Sequence, residues 1–235
     1  MTRRGRPALP LGVRNRLAEL ILDAFDRPET RLVLEALAAF CAADAGSVDA
    51  DTARRLADLG WIEPAGAGRL RLRGLGPAQG AALRDRVAAA RALWRVVAEP
   101  SDGGSIPGLL ARAALLADAG LYFEVHELLE PAWIRAEGAE RLALQALIQV
   151  AVAFHHADHG NDPGAISLLA EGLAKLGAAR AALPLETAEW ESALTEILTA
   201  LREGRPRPPV PAWPRPRGVS GDGSGTRGRT AAASA

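Results

Sequence analysis

The chain has 235 residues, of which 49% are hydrophobic and 4% aromatic, and its formal net charge is zero. A single cysteine excludes an intramolecular disulfide, and the longest apolar stretch, residues 142–154, is too short to span a bilayer and holds two glutamines. Charge is uneven: residues 1–100 carry 16 basic against 12 acidic groups, 101–201 carry 5 against 14, and 202–235 carry 7 against 2, so the acidic middle is no nucleic-acid surface.

Alanine and leucine dominate while β-branched and aromatic residues are scarce, which favours helix over sheet. The fold class expected is therefore mainly all-α. Apolar positions at Leu17, Leu20, Ile21 and Phe25 recur at helical spacing and predict a helix over 11–25, with a second over 31–43. Cys41, among alanines and Phe40, reads as a buried small hydrophobe. A turn follows at 45–47. Asp49 or Asp51 caps a third helix that Gly60 ends. A Gly-rich turn at 65–68 then leads into Arg69-Leu-Arg-Leu-Arg73, whose strict alternation predicts a short half-exposed strand. A long Ala/Arg helix runs over 77–99.

Three helices followed by a two-stranded ribbon is the order of a winged helix, which is the shape expected for residues 1–99. In that reading Arg54 and Arg55 face a DNA groove while Arg69, Arg71 and Arg73 touch phosphate. Asp49, Asp51 and Asp58 on or beside the reading helix oppose it by repelling phosphate. The polar run at 100–106 is the expected linker. A compact helical bundle is expected over 107–201, and a disordered Arg/Pro/Gly-rich tail over 202–235. The first residues lack an apolar segment of signal-peptide type, so the expected setting is cytoplasmic, with no membrane partner.

In the second part, helices are delimited at 108–119, 121–136 (broken or bent at Pro131), 139–159, 162–181 and 187–201. Asp162 is expected as N-cap with Pro163 in the first turn, after a Gly160-Asn161 C-cap. All four histidines fall between His126 and His159. The 139–159 helix is apolar from 142 to 154 except at Gln145 and Gln149, so both amides are expected to be buried and to need partners. Gln149, His156 and His159 each fall within about 40° of Gln145 at 100° per residue, so the four share one stripe. On the preceding helix Tyr122, His126, Glu130 and Trp133 share one side. Antiparallel packing of the two helices is expected to bring these stripes face to face. His155 and Asp158 read as surface groups, and Trp61, Trp94 and Trp190 as core or interface anchors.

The run Gly120-Leu-Tyr-Phe-Glu-Val-His126-Glu-Leu-Leu-Glu130-Pro-Ala-Trp133, then Leu144-Gln-Ala-Leu-Ile-Gln-Val-Ala-Val-Ala-Phe-His-His156, then Gly160-Asn-Asp-Pro-Gly-Ala165, resembles the DUF309 family over residues 107–180. The resemblance implies a compact all-helical fold of unknown function. Its hallmark, here His126, Glu130 and Trp133, has been suggested to bind metal.

Three chemistries fit this pattern. The first is a divalent transition metal (Zn, Mn, Fe or Ni) held by His126 and Glu130, with His156 or His159 completing the set and Glu127 as a base. The zincin analogy fails because Glu130 stands where a second His is required. The second is a metal-free pocket with His126 and Glu130 as acid and base, walled by Tyr122 and Trp133, with Gln145 and Gln149 as ligand-binding amides. The third is a buried His–Glu–Gln network fixing helix register in an interaction module, with homo-oligomerisation open. A fourth arrangement makes the N-terminal part a DNA-binding regulator and the helical part its sensor.

Overall fold

The structure is a computed structural model that describes residue 5 and residues 7–43, 47–67, 69–96 and 104–217. Nine α-helices and one two-stranded antiparallel sheet make up the described residues, so the chain is mainly all-α with a small ribbon. The first three helices are α1 (Leu11–Asp23), α2 (Pro28–Ala42) and α3 (Ala50–Leu56). The Asp49 side chain caps α3 by accepting from the Thr52 amide at 2.8 Å, and Gly60 at φ 72° closes the following 3-10 turn. The cap holds the Asp49 carboxyl below its usual range, because the Thr52 amide donates to the charged form.

Strands β1 (Ile62–Gly66) and β2 (Arg69–Leu72) pair with Ile62 opposite Leu72 and Glu63 opposite Arg71. The alternation read from the sequence is realised: Leu70 and Leu72 lean on the core while Arg69 and Arg71 face solvent. Helix α4 follows (Pro77–Val96). The expected turn at 45–47 lies outside the described residues except for Ser47, as does Gly68 of the Gly-rich turn. The linker expected at 100–106 lies outside them through residue 103.

The acidic part consists of α5 (Ile106–Asp118), α6 (Tyr122–Arg135), α7 (Gly138–Asp158), α8 (Asp162–Ala179) and α9 (Ala188–Arg202). Pro131 sits inside α6 without ending it. The α8 cap differs from expectation by one residue. Asn161, not Asp162, is the N-cap; its side chain accepts from the Gly164 amide at 3.1 Å. Gly160 takes the left-handed turn at φ 75°, which ends α7 and brings Asn161 to the start of α8.

Helix α7 is the axis of this part, flanked by α6 on one side and α8 on the other. Its Leu144, Leu147, Val150 and Phe154 are fully or almost fully buried. Each such side chain contributes about 1.5–3 kcal/mol relative to exposure. Gly172 lets α8 approach closely: a Cβ there would meet Val150 Cγ2 at 3.1 Å and the Ala146 carbonyl oxygen at 3.2 Å.

The N-terminal helices share their core with this bundle. Arg112 of α5 makes a two-pronged ion pair with Asp26 at 2.6 and 2.9 Å, which holds the Asp26 carboxyl below its usual range. Arg86 of α4 pairs with the fully buried Glu124 of α6. Helix α1 lies against α6, where the Arg14 guanidinium covers the Phe123 ring at 4.1 Å.

The first part of the expected disordered tail is ordered. Residues 203–217 pack back on the bundle, where Trp213 is 3% exposed and meets Trp190 edge-on at 4.7 Å. The Trp213 amide donates to Asp118 at 2.8 Å, Arg215 pairs with the same carboxylate at 2.6 Å, and Leu185 bridges to Pro216. Composition predicts disorder when a segment cannot bury a core of its own. This segment instead inserts one aromatic side chain into a core that already exists. Residues 218–235 lie outside the described residues. Among the described residues no helix is long and apolar enough to cross a membrane.

Candidate functional site

Helix α6 carries His126, Glu130 and Trp133, the positions singled out from the sequence. Ala119 and Gly120 stop α5, and the left-handed Gly120 (φ 72°) turns the chain so that α6 begins at Tyr122. His126, Glu127 and Glu130 then fall on one half-buried turn, with one donor atom from each lying within 4.8 Å of the others. His126 Nδ1 is 2.9 Å from Glu127 Oε1. Since a carboxylate only accepts, this contact places the imidazole proton on Nδ1. In that tautomer of the neutral ring the lone pair is on Nε2, which lies 4.0 Å from Glu130 Oε1. That separation is beyond a hydrogen bond. It exceeds by about half an ångström the roughly 3.4 Å between two ligands of a tetrahedral ion, a gap that small side-chain rotations close. A histidine whose second nitrogen donates to a carboxylate is also the usual arrangement around a metal, because the carboxylate fixes tautomer and ring direction. The donor set therefore fits a divalent transition ion, with Glu127 as the orienting group.

The remaining residues singled out from the sequence lie elsewhere. Gln149 is buried, but it points at α8: it donates to Glu171 at 2.8 Å and accepts from Lys175 at 2.8 Å. The expected pairing with the His126 stripe is not formed. Helix α7 has a neighbour on each side, and the close approach at Gly172 gives this face to α8. Gln145 is half-buried, contrary to the burial expected. His156 Nδ1 accepts from the Asn161 side-chain Nδ2 at 2.8 Å, and His159 Nδ1 donates to the His155 carbonyl at 2.7 Å. Both imidazoles thus serve the α7 C-terminus and stand outside the His126 group.

Tyr122 is a core residue, its ring 5.3 Å from that of Phe154. Trp133 is half-buried under the Arg141 guanidinium, 4.5 Å from the ring centroid. Arg141 also donates to the Trp133, Ile134 and Ala136 carbonyls, closing the end of α6. Trp61 and Trp190 are core anchors as expected, and Trp94 is partly buried against Phe25.

His155 is the clearest departure. It was expected at the surface, yet it packs against Phe123 (5.9 Å) and His159 (4.3 Å) beneath α1 and α4. Burial pushes its pKa from 6.5 to about 3, helped by the charges of His159, Arg86, Arg14 and His156. Asp158, also expected at the surface, is half-buried and pairs with Arg207 at 3.1 Å. No periodicity within α7 marks these positions, since what covers them comes from over sixty residues earlier or from the tail.

Four of the five arginines singled out for DNA contact are engaged with nearby acids, and the fifth, Arg69, is exposed. Arg54 and Arg55 both pair with Asp51, at 3.1 and 2.8 Å. Arg71 pairs with Glu63 at 2.6 Å, and Arg73 lies 3.8 Å from the same carboxylate.

One comparison with known proteins returns a match. Residues 110–168 match the family described as Domain of unknown function (DUF309). The matched segment runs from α5 into α8 and contains the whole His126–Glu127–Glu130 turn, so the site lies within the stretch that is similar to this family. No curated protein and no solved structure matches.

Proposed function

We propose that the DUF309 segment binds a divalent transition metal through His126 Nε2 and a Glu130 oxygen, with Glu127 holding the imidazole in the ligating tautomer. The observation that carries this reading is the gathering of one donor atom each from His126, Glu127 and Glu130 within 4.8 Å, with Nε2 4.0 Å from Glu130, a small rotation from the spacing of two ligands on one ion, beside the Nδ1–Glu127 contact. Nitrogen and carboxylate donors suit Zn, Mn, Fe or Ni. Solvent supplies the remaining positions, since the turn is only half-buried. The alternative of a buried His–Glu–Gln network loses its support because Gln149 is satisfied by Glu171 and Lys175.

The first hundred residues read as winged-helix-like: three helices, a two-stranded ribbon, and an additional bridge from Ser47 to Arg69 along the ribbon's edge. DNA binding is no part of this proposal, because four of the five arginines it requires are paired with Asp51 or Glu63.

The test is elemental analysis by mass spectrometry of untagged protein after incubation with Zn, Mn, Fe and Ni, alongside His126→Ala and Glu127→Gln. Near-stoichiometric metal is expected in the wild type and none in His126→Ala. Glu127→Gln is expected to bind about 10–100-fold more weakly, as for other outer-shell partners. Circular dichroism of each variant checks that it remains folded. Absence of metal from the wild type, or equal metal in folded His126→Ala, refutes the proposal.

A further inference from the structure

A second cluster lies on the other side of Phe123, whose ring separates His126 (6.2 Å) from His155 (5.9 Å). Here the N-terminal arm at 7–9, α1, α4 and the end of α7 enclose a cavity of about 50 Å³. That is room for a few waters, at roughly 10–15 Å³ each, or for one small ion. Arg14, Arg86, His155 and His159 line it.

The charges around it do not all cancel. Glu124 is taken by Arg86, and Asp158 by Arg207. The other lining acid, Asp85, is exposed to solvent, where water screens it. Arg14 pairs with no carboxylate among the described residues. Its polar contact is with the neutral Asn15 side-chain oxygen, at 3.2 and 3.3 Å, and its planar face is held on Phe123. Its remaining N–H groups are thus presented to the cavity at little further entropic loss. Across from it, neither ring nitrogen of His155 makes a hydrogen bond among the described residues. Its environment keeps the ring neutral at ordinary pH, so one N–H is available as a donor.

We propose that this cavity binds a small oxyanion, no larger than phosphate, between the Arg14 and Arg86 guanidinium groups, with His155 donating a hydrogen bond. Guanidinium groups match the spacing of oxyanion oxygens, and the half-enclosed setting strengthens the attraction over its value in water. The site is separate from the His126 turn and does not depend on a metal there.

Protein freed of metal on a chelating resin is titrated calorimetrically with inorganic phosphate and, separately, with acetate at low ionic strength. The set includes wild type, Arg14→Gln and Arg16→Gln; Arg16 pairs with Glu19 on the exposed face of the same helix. Saturable binding of at least one probe with a Kd of about 1 mM or tighter is expected. Arg14→Gln should weaken it at least tenfold, Arg16→Gln should leave it unchanged, and the His155 ring signals should shift on saturation. The two probes separate a phosphate-type ligand from a carboxylate. No binding of either probe, or equal binding by Arg14→Gln, overturns the proposal. So does an equal loss in Arg16→Gln, which would mark general surface attraction.

Discussion

The Arg86–Glu124 pair ties α4 to α6, and its removal has a calculable consequence. Glu124 is fully buried and the Arg86 side chain is 16% exposed. The pair is not fully satisfied, since Glu124 Oε2 and Arg86 Nε are buried without partners. Substituting Arg86→Leu strands a carboxylate in the interior. Removing one partner of such a pair costs about 3–5 kcal/mol, most of it the penalty on the charge left behind. For a chain of this size about 2–4 °C of Tm follows each kcal/mol, so Arg86→Leu should melt about 6–20 °C below wild type. The double variant Arg86→Leu/Glu124→Leu removes both charges and should recover at least half of that loss. Urea unfolding followed by circular dichroism, analysed as a double-mutant cycle, measures both quantities. A loss of under about 1 kcal/mol in Arg86→Leu would mean that Glu124 is reached by water in solution. A double variant as unstable as the sum of the singles would show that the two groups are not coupled. Either result refutes the reasoning.

Three further outcomes are expected. His155 is neutral in the folded chain down to a pKa of about 3 and titrates near 6.5 when unfolded. The unfolded state therefore binds more protons between those values, so the His155 contribution is fully present above pH 6.5 and is lost progressively as pH falls toward 3. NMR should show its ring unprotonated at pH 5, and His155→Phe should flatten the stability–pH curve in that window; a ring that titrates near 6.5 in the folded protein contradicts this. Gly172→Leu should force α8 from α7 and cost about 1–3 kcal/mol or more, read as a lower urea midpoint, because the nearest groups include the Ala146 backbone carbonyl, which cannot rotate away. Trp213→Ala should release the 203–217 segment and not unfold the bundle, since the segment is an addition to an existing core; limited proteolysis should then cut within 203–217 while α5–α9 stay intact, and an uncut segment would mean that Asp118 alone retains it.

Much of the fold was legible in the chain because its helices are bounded by local chemistry. The Asp49 cap, Gly60, Gly120 and Gly160 act within a few residues of themselves, and the Arg69–Arg73 alternation is a property of one strand. Pro131 does not break α6: the rule that proline ends a helix is local, and α6 is also held by packing against α7 and α5. His126, Glu127 and Glu130 were legible for the same reason as the caps, since residues within one helical turn meet whatever the tertiary fold.

Partnership between helices was not legible. A stripe on α7 shows that something must cover it, but α6 and α8 are both short-range neighbours, and the absent Cβ of Gly172 on α8 decides which of them takes Gln149. His155 looked like one more polar residue near a helix end. Its burial depends on Arg14 and Arg86, whose distance in sequence hides a contact that only chain closure creates. The sequence by itself determined the helices, their caps and the one-turn donor group on α6, because these interactions span four residues or fewer. Only the tertiary structure decided which faces meet, which acids neutralise which arginines, and where Trp213 inserts, because those contacts depend on surfaces that do not exist until separate helices pack.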